Sequence, residues 1–325
     1  MYQKFENNLL ALTDSNKIAT SVSGGIDSMI MLHMLMKFSA KFNKEIYAIT
    51  IDHNLRATSK QDAEFVYDYC AQNNVKCEIL TWEHDNNLSN IQANAREARY
   101  SLMTDFCKKN DIDILLTAHH ADDQIENLFI KLSRGASIYS LAQNITNIYN
   151  DVNILRPMHN IFKNEIEKYA EEYNINFVYD ESNDDTKYLR NEIRQKLKIF
   201  FEDSKHLSSD MFKQRIMTSI GNITRATNSL KELVKKCKNE CFTFSENNLL
   251  LNRSIYKRFM QEEQMQALTE ALQEFSGNEN NIRMDSLTML YQEIIENENF
   301  TLTLHGCIIK RKQDQVIISR EETRY

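Results

Sequence analysis

Proline is almost missing from this chain, which has one together with six glycines among 325 residues, against average usage of about 7% Gly and about 5% Pro. Collagen-like repeats and Pro- or Gly-rich linkers are excluded, and each remaining Gly carries positional meaning. Asn, Ile and Lys are abundant instead, which blunts turn signals. No run of about 18 apolar residues is present, and the opening MYQKFENNLL has no basic segment leading into an apolar one. Neither a membrane span nor an export signal is expected, and a reducing cytoplasm is the default compartment. The six cysteines, Cys70, Cys77, Cys107, Cys237, Cys241 and Cys307, include no CxxC pair, which argues against a disulfide framework or a zinc site. A positive excess is also lacking: 39 basic residues face 46 acidic ones, for a net charge of −7. Cutting after Phe212 leaves 23 basic and 31 acidic residues upstream, with 16 and 15 downstream. Indiscriminate nucleic-acid binding needs a basic surface, so only a local basic patch is available for it.

What is present describes a folded globular chain, with 42% hydrophobic and 26% charged residues. At about 150 residues per domain, two domains are expected. Through the first 180 residues short β-rich runs alternate with amphipathic stretches, the pattern of βαβ units. Ile18–Val22, Ile46–Ile51, Val75–Leu80 and Ile114–Ala118 read as buried strands. A helix begins near Ser89, whose capping box is completed by Gln92. Another, Asp122–Ser133, places Ile125, Leu128, Phe129 and Leu132 on one face, and Gly135 can close it. The alternation lapses at EDSKHLSSD. Beyond it come a long helix from Phe212, helices near Phe259–Phe275 and Asp285–Ile295, and an alternating Phe300, Leu302, Leu304 run. A polar turn, Lys310–Asp314, then precedes Val316–Ser319. The expected architecture is α/β: a doubly wound, mostly parallel, Rossmann-like sheet over residues 1–203, a linker at 204–212, and a smaller, mainly helical domain over 213–325 ending in a β-hairpin.

The first strand runs into Ser21-Val22-Ser23-Gly24-Gly25-Ile26-Asp27-Ser28 and then a helix, Met29–Lys37. Adjacent glycines let the backbone turn sharply and aim N–H groups outward. Ser23 and Ser28 add hydroxyls, and the helix presents its positive end. An anion such as pyrophosphate suits this loop, whereas an ordinary βα turn with a Ser/Asp cap is the plain alternative. Neither the GxxxxGK[ST] of a Walker loop nor the GxGxxG of a dinucleotide fold is present.

The SGGxDS string resembles the PP-loop ATP-pyrophosphatase superfamily, whose loop holds the β and γ phosphates while ATP is split into AMP and pyrophosphate. Further blocks are similar to the tRNA(Ile)-lysidine synthetase family. These are Asp52-His53-Asn54-Leu55-Arg56, followed by Ser59 and Asp62-Ala63; Ala95-Arg96-Glu97-Ala98-Arg99-Tyr100; and Ala118-His119-His120-Ala121-Asp122-Asp123-Gln124-Ile125-Glu126 with Arg134-Gly135. Arg156-Pro157, Asp180 with Ser182-Asn183, and Arg190-Asn191-Glu192-Ile193-Arg194 follow in order. Asn54 stands where many members have Gly. The stretch Leu302–Cys307 is a looser match to the family's first C-terminal domain, and a short-form member is expected, since longer ones carry a further domain.

The resemblance implies ligation of free L-lysine to the wobble cytidine of the isoleucine tRNA with a CAU anticodon. The cytidine oxygen would attack the α-phosphate of ATP, pyrophosphate would leave, and AMP would depart as the lysine amine adds. It implies ATP and Mg2+ as cofactors, a homodimer, and a C-terminal tRNA-binding domain. Ser23, Gly24, Gly25, Ile26, Asp27 and Ser28 would hold the nucleotide, with Asp27 working with the magnesium and Asp52, His53, Arg96 and His119 around it. Asp123 and Glu126, three residues apart on a helix, would recognise lysine, and one of them could take a proton. Arg190 and Arg194 would contact phosphate or tRNA, Arg190 reaching the active site.

Each assignment has a plainer rival. Asp27 could simply cap a helix, and Asp123 and Glu126 could be the usual acidic bias of a first turn. His119 could be a structural histidine, and Arg96 and Arg99, one turn apart, could form exposed ion pairs. Lys187, Arg190, Arg194, Lys196 and Lys198 could be a solvated face. The same holds for Lys231, Lys235, Lys236, Lys238 and Lys310–Lys312, the candidates for tRNA contact. Two other classes were weighed. A thiolase normally needs paired cysteines, and Cys237 and Cys241 are separated by three residues in an expected helix rather than by two. An amidotransferase needs a glutaminase portion for which the chain is short, and a non-catalytic binding protein would not require the carboxylates.

Overall fold

A computed structural model describes the chain except for residues 53, 55–58, 84–90, 144, 180–188, 204–206, 279, 281 and 322–325, and for the side chains of 91–93. In chain order the elements are α1 (Tyr2–Leu12), β1 (Lys17–Ser21), α2 (Ile26–Phe42), β2 (Glu45–Asp52), α3 (Ser59–Gln72), β3 (Lys76–Thr81), α4 (Ile91–Lys109), β4 (Ile114–Leu116), α5 (Ala121–Leu132) and α6 (Ile138–Leu141). They continue with β5 (Thr146–Tyr149), β6 (Val152–Leu155), α7 (Lys163–Tyr173), α8 (Leu189–Glu202), α9 (Ser209–Cys241), β7 (Phe242–Phe244), β8 (Asn248–Asn252) and α10 (Arg253–Tyr256). Last come α11 (Gln261–Ser276), α12 (Met284–Glu296), β9 (Thr301–Leu304), β10 (Cys307–Lys312) and β11 (Gln315–Arg320).

Two compact units emerge, Met1–Ile130 with Gln143–Ser219, and Lys131–Ala142 with Ile220–Tyr325. The division therefore falls inside α5 and α9. Of the expected linker, 204–206 lie outside the described residues and 209–212 are the first turn of α9.

The first unit carries a six-stranded sheet in the order β3-β2-β1-β4-β6-β5, parallel except for the β5–β6 pair. Successive residues of β1 point to opposite faces, and both faces are covered. Ile18 packs with α1, α2, α3 and α7, where Met29, Ile30, Met31, Leu32, Met34 and Leu35 are sealed from solvent. Ala19 and Leu115 pack on the other side against Tyr100, Met103 and Cys107 of α4. Burial on both faces explains why β4 is wholly apolar and why β1 buries Ile18, Ala19 and Thr20 in succession rather than alternately. The strand order reverses between β1 and β4, and it is outside the carboxyl ends of such a pair that open α/β sheets bind ligands.

The second unit contains a five-stranded antiparallel sheet, β7-β8-β11-β10-β9. Leu249, Leu251, Ile309, Val316 and Ile318 pack with Leu268, Leu272, Leu290 and Ile294 of α11 and α12. The expected hairpin is thus part of a larger sheet. Lys310–Lys312 belong to β10, and the turn is Gln313-Asp314, with Gln313 at a φ of 58°.

Candidate active site

The loop after β1 is shaped by a few contacts. Gly24 has a φ of +84°, a left-handed conformation that side chains resist. Ser28 Oγ donates to Gly25 O at 2.9 Å and accepts from Ser23 N at 3.1 Å, with Ser23 Oγ 3.3 Å away. Val178 N donates to Gly24 O at 2.9 Å, tying residues after α7 to the loop. Gly25 is the N-cap of α2, and Ile26 and Asp27 form its first turn. Ser28 N and Met29 N both donate to Gly25 O, at 3.1 and 3.0 Å, whereas the N–H groups of Ile26 and Asp27 come before the helical ladder begins.

The segment after β4 lies at the other side of the strand-order reversal. His119 Nδ1 is 3.0 Å from Thr117 Oγ1. Burial pushes its imidazole down to about 3, opposed by Asp123 and reinforced by Arg156, Arg99 and Arg190, so it is neutral in ordinary buffers. Its neighbour His120 is 6% exposed and meets three carboxylates: Asp27 Oδ1 at 3.8 Å, Asp122 Oδ2 at 3.8 Å and Asp123 Oδ2 at 3.7 Å. The sequence pointed to His119 at the phosphates; of the two, it is His120 that lies beside Asp27.

Asp123 is partly buried, its side chain 14% exposed, and desolvation by itself raises its pKa. His120, His119, the N–H of His120 at 2.9 Å and Arg190 outweigh that effect and hold the carboxyl below its usual value. Glu126, 4% exposed, receives Arg194 Nε on Oε1 at 2.6 Å and Arg194 Nη2 on Oε2 at 3.1 Å. Arg190 Nε approaches Oε2 at 3.2 Å, and Arg190 Nη2 donates to Asn127 Oδ1 at 2.6 Å. The arginines of α8 that the sequence linked to phosphate or tRNA are thus paired with the expected lysine-binding acid.

Asp52 and Arg96 are engaged locally. Asp52 Oδ1 accepts from Asn54 N at 2.9 Å, and Arg96 lies 5.1 Å from the ring centre of Tyr100. Asn54 has a φ of 49°, a conformation that Gly and Asn tolerate best, so Asn suits this position. His53, Arg56, Ser89, Asp180, Ser182, Asn183 and Lys187 lie outside the described residues.

Sequence reasoning gave no role to Lys163, Asp122 and Lys213. Lys163 Nζ donates to Asp27 Oδ1 at 2.6 Å, and its backbone N to Asp122 Oδ2 at 2.7 Å. Lys213 Nζ donates to Asp122 Oδ1 at 2.6 Å. Asp122 was visible as part of a block, but the two lysines carry no signal that separates them from surface lysines. In the second unit Lys238 is paired with Glu274 Oε2 at 2.5 Å and Lys236 lies 3.9 Å from Glu240 Oε1, so of the lysines singled out on α9 these two already face a carboxylate.

Asp27, Asp122, Asp123, His120 and Lys163 therefore converge where the loop after β1 meets the start of α5. Hard carboxylate oxygens and a glycine-turned helix start suit a magnesium-bound phosphate.

Comparison with known proteins identifies the family. The model of a family described as the PP-loop domain matches residues 1–199. The tRNA(Ile)-lysidine synthase of Rickettsia typhi is 37% identical over 327 residues, spanning 99% of this chain and 74% of that protein. Its Rickettsia prowazekii counterpart is 36% identical over 325 residues, with the same coverage. Among solved structures, the U34-tRNA thiolase NcsA from Methanococcus maripaludis with its [4Fe-4S] cluster superposes with a TM-score of 0.57, covering 71% of this chain and 77% of that one at 16% identity, a likeness of fold. The chain belongs to the PP-loop proteins and, within them, to the tRNA(Ile)-lysidine synthase family.

Proposed function

We propose that this chain uses ATP to join free L-lysine to the wobble cytidine of an isoleucine tRNA with a CAU anticodon. This reading rests on the glycine-turned loop after β1 and the acidic start of α5 after β4 lying on adjacent strand ends. A cytidine 2-oxygen is a very poor leaving group. Attack by that oxygen on the α-phosphate expels pyrophosphate and leaves an adenylated cytidine, from which AMP departs as the lysine amine adds and releases a proton. The enzyme must therefore neutralise phosphate charge and hold a cationic amino acid.

The residues divide along those lines. Gly24, Gly25 and the start of α2 supply backbone N–H donors to phosphate, and Ser23 and Ser28 supply hydroxyls. Asp27 would hold Mg2+, which would supply neutralisation of phosphate charge. Arg99, Arg156 and Arg190 bear electrostatically on His119, and Arg96 on Arg156. Asp123 opposes them at both residues, and guanidinium groups gathered in this way suit the phosphate of AMP. Asp123, held below the usual carboxylate range, is suited to pairing with an ammonium rather than to taking its proton. Glu126 would join it, exchanging part of its contact with Arg190 or Arg194 for the amine. Lys231, Lys235, Lys236 and Lys310–Lys312 would contact the tRNA backbone, and the active form would be a homodimer.

Incubation of the purified protein with ATP, isotopically labelled lysine and the tRNA tests this reading. AMP and pyrophosphate should form only when both lysine and tRNA are present, and the anticodon nucleoside should gain the mass of lysine less water. Robust ATP turnover with tRNA but without lysine would overturn it. The thiolase alternative has no support at the cysteine pair, since Cys237 and Cys241, with sulfurs 3.9 Å apart, are 0% and 2% exposed within the second unit.

A further inference from the structure

Lys163 is the first residue of α7, and both ends of it are tied down. Its backbone N–H donates to Asp122 Oδ2 at 2.7 Å, and its ammonium to Asp27 Oδ1 at 2.6 Å. Asp122 is itself fixed by Lys213 Nζ at 2.6 Å. The Lys163 side chain is 31% exposed and that of Asp27 33%, so the pair lies at the mouth of the site rather than in the core. Ion pairs this accessible add little to stability, and holding the fold together does not account for such exact tethering.

Charge does account for it. Asp27 stands in the first turn of α2, the same positive helix end that the loop Ser23–Ser28 turns toward an anion. A bare carboxylate there would compete with phosphate for that helix end and repel it. Lys163 cancels the charge. An ammonium also carries three N–H donors, so the one given to Asp27 leaves it able to bond a phosphate oxygen without breaking the pair.

Resting on the functional reading above, we infer that Lys163 is a phosphate-binding residue of this site. Its ammonium serves the end of the nucleotide that leaves as pyrophosphate, and when Mg2+ is held by Asp27 the ammonium is shared with or passed to a phosphate oxygen. The ligand class is a diphosphate or the terminal phosphates of a nucleoside triphosphate. AMP lacks those groups and is read by other residues.

Calorimetric titration of the full chain tests this, with inorganic pyrophosphate, ATP and AMP as probes, with and without Mg2+. Lys163→Met keeps the length of the side chain and removes its charge, and should weaken pyrophosphate and ATP binding about 10- to 100-fold while leaving AMP affinity within about threefold. Lys163→Arg keeps the charge and should retain most of the pyrophosphate affinity. Unchanged pyrophosphate affinity in Lys163→Met overturns the assignment, and so does an equal loss for AMP, which would mark a merely structural role. The functional reading fails separately: wild-type protein that binds neither ATP nor pyrophosphate removes both, whereas wild-type binding with an unaffected Lys163→Met variant removes only the role of Lys163.

Discussion

Arg194 holds Glu126 by two parallel hydrogen bonds, Nε to Oε1 at 2.6 Å and Nη2 to Oε2 at 3.1 Å, and Glu126 is 4% exposed. The acid is buried while the arginine side chain is 43% exposed, so the pair ranks between a surface bridge and a sealed one. Glu126→Gln should lower unfolding stability by about 1–3 kcal/mol. Combined with Arg194→Gln, it should show a favourable coupling of about 1–2 kcal/mol in a double-mutant cycle by urea denaturation. Strictly additive effects would show that the two side chains do not support one another.

Asp123→Asn keeps the shape of the carboxyl and its acceptance of the His120 N–H while removing its charge. The expected result is a rise in the KM for lysine of about 10-fold or more with little change in the KM for ATP. Unchanged ligation at low lysine would remove Asp123 from lysine binding.

His119 gives a pH dependence whose sign follows from its depressed pKa of about 3. An unfolded chain takes up a proton on this imidazole below about pH 6.5, whereas the folded chain does not until near pH 3. The unfolded state therefore binds more protons in that window, and stability falls as the pH falls, with a slope approaching about 1.4 kcal/mol per pH unit from this group. Thermal unfolding of wild type and His119→Gln between pH 7 and pH 5 measures it. The variant should lose part of the decline, and identical profiles would place the proton uptake elsewhere.

Gly24→Ala separates space from backbone strain. A Cβ there would meet Val178 Cγ2 and Val66 Cγ2 at 3.5 Å, ordinary contact distance, but the φ is +84°. The substitution should cost about 1–2 kcal/mol through conformation alone. Pyrophosphate binding should weaken as well, because the loop relaxes away from the shape that aims its N–H groups. A denaturation midpoint matching wild type would show that the loop readily takes another conformation.

The parts legible in the sequence are those written in contiguous residues. The loop Ser23–Ser28 is a local backbone device, and β2 and β4 declare themselves by short apolar stretches with buried centres, Ala48–Thr50 and Ile114–Leu116. What escaped depends on distant partners or weak patterning. Lys163 meets Asp27 across 136 positions and Arg194 meets Glu126 across 68, separations at which one sequence carries no pairing information. That His120 rather than His119 lies beside Asp27 turns on which of two adjacent side chains faces α2 after a short strand. β5 is exposed at Thr146, Asn147 and Ile148, so it lacks the alternation that marks a half-buried strand. β7 and β8 are three and five residues long, too short to stand out in a chain rich in Asn and Ile.

The phosphate loop and the acidic helix hang from strands that are direct neighbours, paired at Ala19 with Leu115 and Thr20 with Leu116. Hydrogen-bonded strands lie about 4.8 Å apart, so the sheet acts as a ruler whose graduation no surface loop can alter. Over evolutionary time, insertions at the Asn73-Asn74 turn should be tolerated, whereas one residue slipped into β4 would swing the whole acidic segment to the wrong side.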